Sequence, residues 1–246
     1  MTETFDFKEY DLEGMQTLEA MAAAPRLNAW MYQTIGKRLQ GKILEIGSGI
    51  GNISACFLED NKELYLSDIR ENYLAYLKKQ FQGKPNVLGI GQMDLVHPDF
   101  EKKYADKLGQ FDGLFALNVV EHIEDDMQAI ANCKKLLRKG GRLVILVPAY
   151  QALYNGFDKN LEHYRRYNKT TLSRLFEGNQ LKITNRQHFN FVGIFGWFFT
   201  GSILKKDIIP KGQMEVYNKL VPIFKIIDKM VFNQIGLSVI VEGVKE

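Results

Sequence analysis

The chain reads as an α/β fold built on a largely parallel sheet. Two observations lead there: strand-like and helix-like segments alternate from Ile43 to Pro148, and the first strand runs straight into a glycine-rich turn. Such alternation implies right-handed crossovers, with ligand at the carboxyl ends of the strands where their order reverses.

The elements follow in order. Residues 13–39 carry helical periodicity, with Leu18, Met21, Leu27, Trp30, Met31 and Ile35 as expected buried positions, and Pro25 divides the segment into two helices. Lys42–Ile46 is short, apolar and β-prone, a buried first strand. Gly47, Gly49 and Gly51 then allow a backbone to come very close to a ligand, and a helix over residues 52–60 presents its N-terminus to the same spot. Residues 63–69, 86–95 and 111–120 supply the second, third and fourth strands. Residues 136–148 read as a helix end, a two-glycine turn and the fifth strand.

Beyond Pro148 the alternation weakens. Residues 150–168 are polar, aromatic and irregular, and 169–178 are helical with Thr170 or Thr171 available as cap. Residues 182–191 and 237–244 suit a sixth and a seventh strand. Between them, 193–206 and 213–234 are expected to be helical and to select the substrate. No Pro/Gly/Ser linker divides the chain. It is therefore read as a single domain over 1–246, with a helical cap (1–40), a cofactor-binding core (41–150) and a substrate-side elaboration (151–246).

Composition excludes several classes. Across 246 residues, 46% are hydrophobic, enough for a sizeable core, and the net charge of +3 lacks the basic stripe of a nucleic-acid binder. Two cysteines, Cys56 and Cys133, fall in expected helices of a reduced, cytoplasmic protein rather than in a disulfide framework. Residues 1–7 are acidic and lack the apolar run of a secretory signal. The apolar stretch 189–204, as a helix of 16 residues, would reach about 24 Å. A bilayer needs about 30 Å, so no transmembrane span is expected.

The glycine turn narrows the ligand. It reads G-x-G-x-G with Asn52 where a dinucleotide site has its third glycine, and no lysine follows as a phosphate loop requires. Glu45 at the strand end would repel a pyrophosphate. A cationic or neutral ligand fits better.

Leu44–Asn52 resembles motif I of class I S-adenosylmethionine-dependent methyltransferases, and further stations along 42–148 match in register. The resemblance implies a Rossmann-like seven-stranded sheet with the last strand antiparallel, helices on both faces and S-adenosylmethionine as cofactor. It implies that Glu45, Gly47, Gly49 and Gly51 position the methionine end. Asp68, 17 residues after Gly51, would hold both ribose hydroxyls. Met93 and Asp94 would take the adenine, with Ile69, Leu95 and Asn118 beside them. The segment His163-Tyr164-Arg165-Arg166-Tyr167 is similar to one found after strand five in a methyltransferase type 11/12-like subset, some members of which are joined to glycosyltransferases. That hints at a small, lipid-like acceptor.

Candidate chemistry follows from these residues. Methyl transfer needs an aligned nucleophile, and for a hydroxyl it needs a base. His163 is the first candidate base and His122, next to Glu121, the second; a satisfied structural histidine is the competing reading of His122. Some relatives bind magnesium through a Glu-x-x-Glu-His set, but Asn118 stands at the first of those positions, so no metal is expected. Arg165 and Arg166, flanked by Tyr164 and Tyr167, could hold a carboxylate or phosphate, or they could pair with surface acids. Phe189–Leu204, with Trp197, is read as an aromatic lid completed by residues 208–210 and 221–227, or alternatively as core packing or a homodimer surface. The stretch 28–32 of the cap, with Trp30 and Tyr32, would screen the cofactor from water. His97 is read as a surface residue and His188 as structural.

Transfer to oxygen is favoured over nitrogen because Asn118-Val-Val-Glu121 stands where many amino-group methylators have an Asn/Asp-Pro-Pro-Tyr/Phe motif. The alternative, from another class, is a cofactor-binding regulatory or scaffold module that docks a partner through its aromatic C-terminal segment.

Overall fold

A computed structural model describes residues 12–206 and 211–246. The N-terminal segment read for a signal and the 208–210 part of the expected lid lie outside the described residues.

Seven strands form one sheet in the order β3-β2-β1-β4-β5-β7-β6. They are β1 (Lys42–Ile46), β2 (Glu63–Asp68), β3 (Val87–Gln92), β4 (Phe111–Leu117), β5 (Leu137–Pro148), β6 (Leu181–Phe189) and β7 (Ser238–Lys245). The first five pair in parallel, while β7 runs antiparallel between β5 and β6. The order reverses between β1 and β4, which opens a crevice at their carboxyl ends.

Period-two alternation sends side chains to two cores. On β4 and β5, Leu114, Ala116, Leu143, Ile145 and Val147 pack on one face under α6 (Asp126–Leu136) and α8 (Lys169–Gly178). Phe115, Val144 and Leu146 pack on the other. That second face is covered by α2 (Pro25–Ile35), α3 (Asn52–Glu59), α4 (Glu71–Phe81) and α10 (Lys211–Met230). The remaining helices are α1 (Leu12–Ala22), α5 (Phe100–Lys103), α7 (Gly156–Asn160) and α9 (Gly193–Trp197), the last continuing as a π-helical run over Phe198–Ile203.

Pro25 opens α2 as expected, because a proline at the first helical position loses no hydrogen bond. Leu18 and Met21 are only half-buried; both line a cavity, and Met21 also packs against the core. The two-glycine turn is absorbed into β5. Leu137 pairs with Phe111 and Arg142 with Gly113, so residues 138–141 bulge out, with Gly140 at φ +78°. The cap of α8 is Asn168 rather than a threonine; its side chain accepts from the Thr171 amide, and the Thr171 hydroxyl accepts from the Asn168 amide in return. The helix expected over 213–234 ends at Met230.

Phe57 of α3 stacks on Phe115 of β4 at 4.5 Å between ring centroids, and both are fully buried. Phe57→Ala leaves a cavity under the sheet. It is expected to lower stability by about 3–5 kcal/mol, measured by urea denaturation.

Candidate functional site

The glycine loop is fixed to β2 before any ligand arrives. Ser48 donates its amide to the Ser67 carbonyl at 2.8 Å, and its hydroxyl accepts from the Ser67 amide. Gly49 donates its amide to Asp68 Oδ2 at 2.8 Å, and the Arg70 amide donates to Asp68 Oδ1 at 3.1 Å. Gly47 sits at φ +71°, and a Cβ there would meet Val119 at 2.4 Å, so only glycine fits. Gly51 does a different job. It caps α3 at φ +84° and packs against Phe81, away from the cavity.

The loop edges a cavity of about 930 Å³. Ligand pockets commonly hold about 300–1,000 Å³, so this one has room for a nucleoside and a second molecule. Glu45, Gly47, Gly49, Asp68, Ile69, Met93, Asp94, Leu95 and Asn118 all line it, as the sequence implied. Three carboxylates, Glu45, Asp68 and Asp94, stand at the ends of β1, β2 and β3. Asp68 and Asp94 each accept backbone amides and keep lone pairs for a ligand. Burial pushes the Glu45 carboxyl up to about 7, although the Ser54 hydroxyl donates to it. Asn118 holds φ +53° at the tip of β4, with its amide bonded to the Leu146 carbonyl.

The other wall comes from the irregular stretch after β5. Asn155 and Asp158 form a capping box on α7, and the fully buried Asp158 also accepts from His163 Nδ1 and from Arg166 Nε, both at 2.8 Å. Burial alone would raise the Asp158 carboxyl, but the hydrogen bonds from His163 and Arg166 hold it below the usual carboxylate range. His163 faces His122 edge to face at 4.6 Å. Burial, and then the neighbouring His163, lower His122 to about 3, so its imidazole is neutral.

Tyr164, Arg166 and Trp197 line this half of the cavity, with Arg166 stacked on the Trp197 ring at 4.6 Å. The two arginines do not form a joint fork at the cavity. Arg166 spends Nε on Asp158 and Nη1 on the Ala149 carbonyl, while Arg165 is bound to Asp126 and the Glu124 carbonyl.

Several other expected residues lie off the cavity. The Tyr167 hydroxyl donates to Asp126. Glu121 is wholly buried behind the histidines, with neither carboxylate oxygen hydrogen-bonded, and burial pushes it up to about 8. Trp30 packs on Phe189, and the Tyr32 hydroxyl bonds Asp60; in that stretch it is Asn28 and Met31 that reach the cavity. His188 stacks on Tyr150, and His97 caps its own loop by accepting the Asp99 amide.

One atom of each of Glu121, His122 and His163 lies within 4.8 Å of the others, so this trio could hold a divalent cation. Sequence reasoning missed Asp158, although the Asn155-x-x-Asp158 spacing of a capping box was present. The expected stretches 28–32 and 213–234 contained Asn28, whose buried Oδ1 is unpartnered at the cavity wall, and Gln213 and Tyr217 of α10, without singling them out.

Comparison with known proteins agrees with this geometry. Residues 44–145 match the family model described as a methyltransferase domain. The matched stretch covers less than half of the chain.

Among curated proteins, the methyltransferase domain is similar to a highly reducing polyketide synthase of Pyrenophora dematioidea. The two are 25% identical over 146 residues, which is 56% of this chain and 6% of the synthase. It is also similar to the ubiquinone biosynthesis O-methyltransferase of Leptothrix cholodnii, 26% identical over 118 residues, 47% of each chain. The chain thus spans a small part of the first relative and about half of the second. Phosphoethanolamine N-methyltransferase 2 of Haemonchus contortus, solved with S-adenosyl-L-methionine, superposes with a TM-score of 0.62 at 16% identity, over 99% of this chain and 60% of that one. At that identity the likeness is one of fold.

Two outcomes test the cofactor half. Asp68→Ala removes acceptors of charged hydrogen bonds worth about 1.5–3 kcal/mol each, so affinity for S-adenosylhomocysteine should fall at least about tenfold by calorimetry. Glu45 carries a proton below about pH 7 in the free protein, and an ammonium group bound beside it favours the ionised form. Affinity is therefore expected to rise with pH by up to about tenfold per unit below that point and then level off. Titrations over roughly pH 5.5 to 8.5, which brackets a carboxyl so shifted, should lose that slope in Glu45→Gln.

Proposed function

We propose that the protein transfers a methyl group from S-adenosylmethionine to an oxygen of a small, partly apolar acceptor, a hydroxyl or a carboxylate. The observation that carries this reading is the Asp158–His163 pair at the cavity wall. Asp158 fixes the ring so that Nδ1 carries the proton toward the carboxylate, which leaves Nε2 as the basic nitrogen.

The loop and the acids fit the cofactor. Asp68 would hold its ribose, Asp94 and Met93 its adenine, and Glu45 with Gly47 and Gly49 its methionine end. When bound, the cofactor supplies a sulfonium-activated methyl group. His163 takes the acceptor's proton as the new carbon–oxygen bond forms and the carbon–sulfur bond breaks, and Asp158 stabilises the imidazolium. Trp197, Phe157, Phe189 and Met214 give the acceptor side an apolar wall that excludes water. Positioning of this kind can contribute about 7–11 kcal/mol to the rate. The O-methyltransferase of Leptothrix cholodnii among the similar proteins supports oxygen as the acceptor atom.

His122 is a weaker candidate for the base, because an imidazole held near 3 accepts a proton poorly at neutral pH. The trio of Glu121, His122 and His163 takes no metal in this reading, since His163 is needed as a base and Asn118 offers no carboxylate.

His163→Ala is expected to lower turnover to S-adenosylhomocysteine by about 10²–10⁴-fold, with cofactor affinity by calorimetry unchanged. A chelator should leave the rate of the unmodified protein as it was. Activity that survives the substitution with a panel of phenols would refute the base assignment. Cofactor binding with no turnover on phenols, carboxylic acids or lipids would favour a regulatory module instead.

A further inference from the structure

The segment between β6 and β7 is apolar on two sides. On α10, Met214, Tyr217, Val221 and Phe224 turn inward at helical spacing, and the first two line the cavity. Val216, Leu220, Ile223 and Met230 repeat the same spacing on the outside, where Ile223 and Met230 are 54% and 70% exposed. The preceding helix behaves alike. Trp197 and Thr200 face the cavity, while Phe195, Phe198 and Phe199 face out. Of the 17 large hydrophobic residues exposed among the described residues, 12 lie between Phe195 and Ile235. A surface so concentrated marks a site that something covers.

Charge identifies the partner. Residues 191–235 contain six lysines and no arginine against three acids, a balance of +3. That equals the net charge of the whole chain, so the remaining residues sum to zero. Lys205, Lys206, Lys219 and Lys229 are exposed, whereas Asp228 is buried and spent on the amides of Asn190 and Phe191. A second copy is disfavoured, because a two-fold contact would set this lysine-rich face against itself. An anionic bilayer satisfies both features: the apolar side chains enter the acyl boundary and the lysines meet the headgroups. No helix among the described residues is long and apolar enough to cross a membrane, so the segment lies on the surface.

We propose that the outer faces of α9, its π-helical continuation and α10 dock on an anionic lipid bilayer, so that the helices roofing the cavity are also the membrane-binding element. The docking stands on this surface alone. Only its corollary, that the methyl acceptor enters the cavity from the lipid phase, rests on the methyl-transfer reading.

The test is co-sedimentation of the full chain with vesicles of phosphatidylcholine mixed with phosphatidylglycerol, against phosphatidylcholine alone. Neither cofactor nor acceptor is present, so a failed activity assay and a failed docking test remain distinguishable. Partitioning onto the anionic vesicles that weakens with salt is expected. It should drop about tenfold or more in Lys205→Glu with Lys206→Glu, and likewise in Phe198→Ser with Phe199→Ser, with S-adenosylhomocysteine affinity retained. The lysine pair is fully at the surface and keeps the test valid should the aromatic pair misfold. Equal partitioning onto both vesicle types, no partitioning, or a dimer in sedimentation equilibrium that the same substitutions dissociate without any vesicle binding would each overturn the proposal.

Discussion

One buried carboxylate organises the cavity wall that follows β5. Asp158 has no exposed surface, and it takes hydrogen bonds from the Asn155 amide, the His163 ring and the Arg166 guanidinium. An ionised group in such a place is tolerable only when its lone pairs are filled by donors of positive or partly positive character. Each donor extends the constraint. Asn155 starts α7, His163 meets His122 at the tip of β4, and Arg166 reaches the Ala149 carbonyl after β5 and lies against Trp197. An irregular stretch of chain is thereby held to the sheet on one side and to the C-terminal helices on the other. Loss of the carboxylate would strand a buried guanidinium, a disruption typically worth about 3–5 kcal/mol.

The cofactor half is stiff for a different reason. Its lattice is made of backbone amides and short hydroxyls: Ser48 on Ser67, Ser67 on the Glu45 carbonyl, Gly49 on Asp68. The Met93 amide also bonds the Asp68 carbonyl, so the tips of β2 and β3 move together. A ligand entering such a site orders little of the chain, and most of its interaction energy is retained as affinity. The two halves therefore meet as rigid wall against rigid wall, with His122 and His163 at the junction.

Much of this was legible in the residues because sheet architecture writes itself in local patterns. Glycine spacing, strand alternation and acids at strand tips are short-range features, and they pointed to Glu45, Asp68 and Asp94, which line the cavity. What failed was the assignment of partners across distance. Arg165 and Tyr167 both look like ligand contacts in a run of aromatics and arginines, yet Asp126, some 40 residues away, takes both. Trp30 was read as a screen over the cofactor and packs on Phe189. Gly51 matched the motif, and its role proved to be packing under Phe81. Asp158 was passed over because a lone acid in a loop carries no periodic signal, and its three donors are visible only once the chain is folded. Residues 193–206 were expected to be helical and are so only to Ile203, and nothing in their composition announces that the helix widens at Phe198.

That widening has a consequence for how the protein can vary. A π turn accommodates one residue more than the regular helix would in the same length. Each residue of an α-helix advances the azimuth by about 100°. Loss of a single residue between Phe198 and Ile203 would therefore tighten the wide turn to a regular one, and what lies beyond would escape the rotation of roughly a quarter turn that the same loss imposes on a regular helix. The residue opposite Gln213 would change while the seven strands stayed in register. A one-codon deletion or insertion at this point is thus a route by which the wall that Trp197 and Thr200 give the cavity could be reshaped in a single step, without touching the glycine loop.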